Sequence, residues 1–432
     1  MREHIAGDCS SDFALAGNFP FGSPESQPYA SRERVQSILQ TSTPDAALYV
    51  EAYFRVYNPS LPVLDLPAFT FKMKSFYDSQ DIADPSWLAQ YFVVVGLGAY
   101  ATTRNDVAAS EYFYASEACL AKTLYMYRSL TIHISTLCLM VVAKSVAYAT
   151  CWTLDTSWNV MGLVVRLSMT MMLHKDWMPG FQEPAIARER QTRRLLWVAM
   201  VYLDIQMSLI TGQQSLLPQD VIPIGIERCV PVILEDCFES ILPQSFSVIC
   251  HFLVRINSQL HQITYEEATQ YDLDLRQLMR QTSGLPGNEH LGLTLDVFFR
   301  RALSVLHGHY ALARDAALIH PVSYWSSLAC NLAMMRHHQN LGLSPEQGSD
   351  LRLVAQPYML DFFAAALTAC VHQLSTAPPA NYPLPNRQTI FRTLKDCVEL
   401  IGKEESKSLC FRTGHHLLSA VFDLTCRESS TG

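Results

Sequence analysis

The feature that most constrains this chain is an apolar stretch from about Leu130 to Leu154. Among Asp, Glu, Lys and Arg, this stretch contains one residue, Lys144. A membrane-spanning helix needs about 20 apolar residues in a row, and a charge near its centre costs on the order of 3 kcal/mol. Lys144 divides the stretch into two uncharged segments that are each too short to span a bilayer. The sequence therefore predicts helices buried in a protein core, and we expect no membrane contact.

Apolar residues recur at helical spacing along most of the chain, and no run alternates apolar and polar residues in the manner of a strand. The sequence predicts an all-α fold, a large multi-helix bundle or array with irregular loops and no significant sheet. A helix is predicted from Pro44 to about Val56, where the segment Asn58-Pro-Ser-Leu-Pro62 stops it. The later helices are predicted over residues 86–103, 105–127, 132–154, 156–174, 186–211, 245–280, 291–318, 322–341, 350–375, 387–402 and 406–426.

Two segments lack this periodicity. Residues 1–43 are rich in Ser, Gly and Pro, and we predict a disordered N-terminal arm there. Residues 212–243 contain four prolines, which predict a long irregular crossing loop. The helical regulatory domain is accordingly predicted to occupy residues 44–427.

The charge balance argues against nucleic acid as a direct ligand. The formal net charge is -8, whereas nucleic-acid-binding modules are normally basic. The one concentrated basic stretch, Arg188-Glu-Arg-Gln-Thr-Arg-Arg194, has too few cations and aromatic residues for a nucleic-acid patch. We expect its arginines to pair with carboxylates elsewhere in the fold.

No motif for catalysis, cofactor binding or metal binding is found. The 12 cysteines are scattered without a Cys-x-x-Cys pair, which indicates reduced, mostly buried thiols. The histidine pairs have the wrong spacing to place two ligands on one helical face, and no nucleophile elbow or phosphate-binding glycine loop occurs. We therefore expect no catalytic residue, no cofactor and no metal, and we interpret the chain as a non-enzyme.

Charged residues inside apolar helices form a second group of candidates. Arg166 and Asp204 each lie within an apolar run, and an unpaired buried ion costs several kcal/mol. We expect carboxylates such as Asp204 or Glu189 to neutralise Arg166, Arg193 or Arg194 across a helix–helix contact.

The stretch from Trp158 to Pro223 resembles the fungal-specific transcription factor domain, the middle homology region found downstream of a binuclear zinc cluster. The matching residues follow the order of the family: Gly162, Val165-Arg166-Leu167, Leu173-His174-Lys175-Asp176, Glu189, Arg193-Arg194, Leu196-Trp197, Tyr202-Leu203-Asp204, Ser208, Gly212, Asp220 and Pro223. Upstream, the segment from Tyr57 to Leu64 looks like the opening of the family's domain. The resemblance covers about residues 45–425, and it is specific only in the central block.

The resemblance implies a nuclear helical regulatory domain that restrains or transmits transcriptional activation, with control of a metabolic or secondary-metabolite gene cluster. It also implies a protein partner or homodimer and a possible small-molecule effector. Two departures stand out: Gln213-Gln214 replace the usual arginine and proline, and Cys9 is the only cysteine before Cys119, so no six-cysteine zinc cluster is found. We therefore expect no direct DNA contact from these residues. The alternatives are a helical enzyme with an unrecognised site and an oligomerisation scaffold.

A pocket lined by methionine and aromatic residues, without acid or base groups, would favour the sensing of a metabolite. Met169, Met171 and Met172 are candidates for such a lining, although core packing is the more common use of methionine.

Overall fold

The computed structural model describes residue 15 and residues 18–78, 84–104, 106–147, 151–175, 184–217, 242–256, 263–282, 289–343, 350–374, 387–403 and 409–431. All regular structure in these residues is helical, and they contain no strand. The predicted all-α fold is confirmed.

The α-helices are numbered in chain order. They are α1 (Arg32–Val56), α2 (Leu66–Asp78), α3 (Pro85–Thr103), α4 (Asp106–Ala121), α5 (Thr131–Ala147), α6 (Cys151–Thr170), α7 (Pro184–Thr211), α8 (Leu242–Ile256), α9 (Tyr265–Thr282), α10 (Glu289–Ala311), α11 (Ala316–Ile319), α12 (Pro321–Leu343), α13 (Asp350–Ala355), α14 (Met359–Leu374), α15 (Arg387–Gly402) and α16 (Leu409–Thr431). Two short 3-10 helices span Pro24–Ala30 and Gln356–Tyr358.

Helix α3 shows how local signals and packing combine. The Asp84 side chain accepts a hydrogen bond from the Ser86 amide, and Pro85 occupies the first turn, as expected of a helix start. The helix is buried on nearly every face because it packs against both α1 and α4. Gly98 permits the approach of α1, since a Cβ there would lie 1.8 Å from the Tyr49 carbonyl oxygen.

The buried residues form two clusters that meet at α10. The first extends from the N-terminal segment through α10, and the second is built from α10 to α16. Val297 belongs to the second cluster, whereas its neighbours Phe298 and Phe299 belong to the first. Helix α10 therefore joins the two halves of the core.

The prediction of a disordered arm over residues 1–43 is wrong for residues 18–43. Helix α1 begins at Arg32, capped by the Ser31 hydroxyl, and continues through Pro44. Val35 and Ile38 are buried three residues apart, which is helical spacing that the abundance of serine and proline obscured. Residues 1–14 lie outside the described residues.

Several boundaries also differ. The predicted helix 245–280 is two helices, α8 and α9, and the predicted helix 291–318 is α10 followed by α11. Helix α2 was not predicted. In the predicted crossing loop, residues 212–217 are not helical, helix α8 already begins at Leu242, and residues 218–241 lie outside the described residues.

Two helical stretches are long and apolar enough to pass a simple test for membrane spans, Ala187–Thr211 and Asp350–Leu374. Within the fold, 78% and 50% of the apolar windows of these stretches are buried. Length and composition alone are weak evidence for a membrane span, because buried core helices pass the same test.

Candidate functional site

A small cavity lies where the two halves of the core meet. Its volume is ≈ 60 Å³, and its wall is formed by the end of α1, by α5, α7 and α10, and by residues 353–358. The lining residues are Tyr53, Tyr57, Ser60, Leu61, Leu139, Val142, Ser145, Val146, Tyr202, Leu203, Gln206, Thr294, Leu353, Val354, Pro357 and Tyr358.

None of these lining residues carries a charge at neutral pH. Burial raises the pKa of Tyr57 and of Tyr202 well above the usual value, and it raises the pKa of Tyr358 to about 12. The phenols therefore remain protonated and act only through neutral hydrogen bonds. Such a wall suits a neutral, mostly apolar molecule rather than an ion.

The wall includes buried hydroxyl groups without a hydrogen-bond partner among the described residues. Tyr57 Oη and Ser60 Oγ are buried, and neither has a partner among the described residues. Leaving a buried polar group unsatisfied costs about 1–3 kcal/mol, so natural folds rarely keep one without a use. Tyr57 and Ser60 both line the cavity, so an occupant would lie close to these residues.

A tyrosine pair closes the other side of the cavity. The hydroxyl groups of Tyr202 on α7 and Tyr358 lie 2.6 Å apart, within hydrogen-bonding distance. Tyr202 belongs to the first core cluster and Tyr358 to the second. An occupant of the cavity would therefore touch both halves of the fold at once.

A larger, more open cleft of ≈ 560 Å³ lies between α2, α3, α5 and α7. Lys72 stands over the indole ring of Trp87 at 4.9 Å, and Arg188 pairs with Asp65 at 3.5 Å. Glu189 also lines this cleft. The cleft holds equal numbers of positive and negative side chains, so it has no net charge that would favour one kind of ion.

One hydrogen-bonded chain has the residue types of a hydrolase triad. Ser323 Oγ lies 2.9 Å from His307 Nδ1, and His307 Nε2 lies 2.9 Å from Asp272 Oδ1. All three side chains are buried, and neither the cavity nor the cleft includes them. We assign this chain of hydrogen bonds a structural role, because it links α9, α10 and α12 within the core.

The structure corrects the predicted charge pairing in two places. Arg166 is exposed rather than buried, and its Nη1 atom lies 3.5 Å from the Gly162 carbonyl oxygen. Asp204 is fully buried, but its carboxylate accepts hydrogen bonds from Ser215 Oγ at 2.6 Å and from the Leu216 amide. Among the described residues, neutral donors rather than the predicted arginines satisfy Asp204.

The other candidates of that group are not brought into one cluster. Arg193 donates to the Met171 carbonyl oxygen at 2.8 Å, where it caps the end of α6. Glu189 faces solvent at the cleft. The pairing of Glu189 with Arg193 or Arg194 stays a prediction.

The family-motif positions hold the central helices together. Gly162 on α6 faces Leu216, and His174 packs against Trp197 with ring centroids 5.7 Å apart. Gly212 has a φ of 71° and ends α7, as predicted. Pro223 lies outside the described residues.

No group of three or more metal-ligating side chains occurs within the described parts of the chain. The predicted methionine lining is not part of the cavity: Met172 is half exposed, and Met169 and Met171 pack against the first core cluster.

Sequence reasoning missed the residues that matter most at the cavity. Tyr57, Ser60 and Tyr202 lie in segments that resemble the family, but nothing in the sequence marked them, or Tyr358, as residues of a cavity. These residues come from segments up to about 300 positions apart, so no local pattern connects them.

Comparison with known proteins gives a consistent result. The model of the fungal specific transcription factor domain matches residues 50–273, which is about half of the chain. This region includes the cavity walls from α1, α5 and α7, whereas Thr294 and residues 353–358 lie beyond it.

Two curated proteins are similar to parts of the chain. One is the uncharacterized transcriptional regulatory protein C530.05 of Schizosaccharomyces pombe, which is 29% identical over 205 residues, covering 46% of this chain and 25% of that protein. The other is the lactose regulatory protein LAC9 of Kluyveromyces lactis, 22% identical over 170 residues, or 39% of this chain and 18% of that protein. The chain thus matches a quarter or less of the length of these relatives. No solved structure matches at the level of significance that these two reach.

Proposed function

Since this chain belongs to the fungal specific transcription factor domain family, we propose that it is the effector-sensing regulatory domain of a transcription regulator. The observation that carries this proposal is the uncharged cavity, whose wall includes the unsatisfied hydroxyls Tyr57 Oη and Ser60 Oγ. A ligand changes the state of a protein only by binding one conformation better than another. A ligand in a cavity that spans the contact between the two core clusters would bind with a different affinity whenever that contact changes.

The wall defines the chemical class of the effector. Tyrosine and aliphatic side chains favour an apolar body, and the free hydroxyls of Tyr57 and Ser60 require hydrogen-bonding groups on the ligand. A volume of ≈ 60 Å³ holds a molecule of a few heavy atoms or one end of a longer molecule. We propose a neutral alcohol, amide or carbonyl compound as the part that enters the cavity.

The wider role follows from the relatives. We propose that the domain acts in the nucleus and controls metabolic or secondary-metabolite genes. Support for a metabolic role comes from the similarity to a protein named as a lactose regulator. The net charge of -8 supports a role without direct DNA contact by these residues. Exposed Leu417 and Leu424, seven residues apart on one face of α16, support a protein partner or a homodimer.

Ligand-observed NMR with a panel of small neutral alcohols and amides tests the effector site. We expect saturable binding by some members, and a loss of about tenfold or more in affinity in the Tyr57→Phe/Ser60→Ala double variant, because each hydrogen bond contributes about 1 kcal/mol. Tyr127→Phe is the matched control, since Tyr127 is exposed and does not line the cavity. Equal binding by the double variant and the wild type would refute the site.

A further inference from the structure

The cleft between α2, α3, α5 and α7 is separate from the cavity, since the two share no lining residue. Its volume of ≈ 560 Å³ lies within the range of about 300–1,000 Å³ that is usual for small-molecule pockets. The wall is formed by residues 63–72, by Trp87 and Gln90 of α3, by the start of α5 and by the first half of α7. The cleft therefore has room for a metabolite that does not touch the cavity.

Part of the cleft wall is apolar and includes two aromatic rings. Phe69 on α2 and Trp87 on α3 are buried, and their ring centroids lie 5.0 Å apart. The indole Nε1 of Trp87 is buried and has no acceptor among the described residues. The other apolar lining residues are Val63, Leu64, Ala68, Ile132 and Leu196. This part of the wall suits the aliphatic or aromatic portion of a ligand.

Lys72 on α2 brings a positive charge to this apolar wall. Its ammonium lies 4.9 Å from the centre of the Trp87 ring, and among the described residues no carboxylate lies within 4.0 Å of it. Loss of hydration lowers the pKa of Lys72, and the attraction of the Asp84 carboxylate offsets this lowering only in part. The charge of Lys72 would therefore stabilise an anionic group bound beside it.

The negative charges of the cleft come from Asp65 and Glu189. Asp65 accepts a hydrogen bond from the Ala68 amide at 3.2 Å and pairs with Arg188 at 3.5 Å. Glu189 on α7 is exposed at the cleft, and it lies more than 4.0 Å from the Lys72 ammonium. Lys72 and Glu189 are thus opposite charges on two different helices that do not contact each other, and a ligand that carries both signs can contact both.

We propose that this cleft is a second ligand site, which binds a zwitterionic amino acid with an apolar or aromatic side chain. The ligand carboxylate contacts Lys72, the ligand ammonium contacts Glu189, and the ligand side chain packs near Phe69 and Trp87. The lining has as many positive as negative side chains, which favours a zwitterion over a simple anion or cation. This site goes beyond the proposed effector cavity and does not depend on whether the cavity takes a ligand.

Calorimetric titration of the full chain with L-phenylalanine, L-tyrosine, L-tryptophan and L-leucine tests the site. We expect saturable binding by at least one of these amino acids. Matched compounds that lack the amino group or the carboxylate, such as 3-phenylpropanoate and 2-phenylethylamine for L-phenylalanine, should bind about tenfold or more weakly, because each loses a charged contact. Absence of binding by all of these amino acids would overturn the proposal, and so would equal binding by either matched compound.

Charge variants assign the two ends of the ligand. Lys72→Met should weaken binding of both the amino acid and the compound without an amino group by about fivefold or more, since both carry the carboxylate. Glu189→Gln should weaken binding of the amino acid alone, since the other compound has no ammonium. Lys74→Met and Glu51→Gln are the matched controls, because both positions are exposed and neither lines the cleft.

The double variant of the cavity separates this site from the proposed effector site. Tyr57→Phe/Ser60→Ala should leave the binding of the amino acid unchanged, because neither residue lines the cleft. Equal binding by the wild type, Lys72→Met and Glu189→Gln would show that the amino acid does not bind in the cleft, whatever the result at the cavity. Loss of amino-acid binding in the cavity variant alone would place the ligand in the cavity and overturn the second site.

Discussion

The polar side chains around Asp272 and the hydroxyls of the cavity are equally buried, yet their hydrogen bonding differs. Asp272 Oδ1 lies 2.9 Å from both His307 Nε2 and Ser326 Oγ, and Asp272 Oδ2 accepts from Arg276 Nε at 2.8 Å. At the cavity, Tyr57 Oη has no partner among the described residues. The hydrogen bonds of Asp272 are satisfied within the protein, whereas the cavity wall keeps hydroxyls without a partner among the described residues.

The pKa of the Asp272 carboxyl group reflects its hydrogen bonds to His307 and Arg276. Burial by itself raises the pKa of Asp272, but hydrogen bonds from His307 and Arg276 outweigh burial and hold this pKa below its usual range. Because Asp272 bridges α9 to α10 and α12, the network fixes how these helices pack. A satisfied buried network of this kind therefore supports the architecture of the fold.

The largest expected effect comes from breaking the complete network. Asp272→Ala should lower the free energy of unfolding by about 3–5 kcal/mol, because it leaves the Arg276 charge and the His307 ring without their acceptor. Urea unfolding followed by circular dichroism measures the loss. The control is Asp274→Ala, two residues along, whose hydrogen bond to Gln270 is exposed and should contribute less than about 1 kcal/mol.

A smaller effect on stability is expected at Asp204. The hydrogen bonding of Asp204 is intermediate between that of Asp272 and that of the unsatisfied hydroxyls at the cavity. Neutral donors contact its carboxylate, and burial raises its pKa to about 6 from the usual 3.8. Between about pH 4 and pH 6, the folded state therefore binds more protons than the unfolded state. The contribution of Asp204 to stability accordingly falls as the pH rises through this range.

The Asp204→Asn variant lacks this dependence of stability on pH, because an amide does not titrate in this range. The stability of the variant relative to the wild type should increase by on the order of 3 kcal/mol between about pH 4 and pH 7 and then stay level. Unfolding measured for both proteins over that range gives the difference, which removes the contributions of the other carboxyls. A difference that does not vary with pH would contradict the assignment.

The smallest effects on stability are expected at the cavity, and they should differ between Tyr202 and Tyr57. Tyr202→Phe removes the partner of Tyr358 and should cost about 1 kcal/mol, whereas Tyr57→Phe removes an unsatisfied hydroxyl and should be neutral or stabilising by up to about 1 kcal/mol. Thermal unfolding of the two variants, which carry the same chemical change, makes this comparison direct. Equal destabilisation by both would mean that Tyr57 is satisfied in the folded state.

How much of this was predictable differs between fold and site. The all-α architecture and most helix boundaries after Asp84 followed from apolar spacing and capping residues, because these signals are local. The cavity was not predictable, because its wall joins α1, α5, α7, α10 and residues 353–358 from distant parts of the sequence. The pairing of Asp204 with arginine was inferred from burial alone, and burial does not say which donor is nearest.

Lys144 separates what the sequence determined from what the tertiary structure decided. The sequence predicted α5 as a core helix, since one cation in an apolar stretch is costly to bury in lipid and needs a partner when it is buried in protein. The identity of that partner was decided by the fold, which brings the Phe19 carbonyl oxygen to Lys144 from 125 residues away. Helical periodicity depends on residues that are close together in the sequence. The partner of a buried charge depends instead on which segments pack against each other, and this is determined only by the tertiary structure.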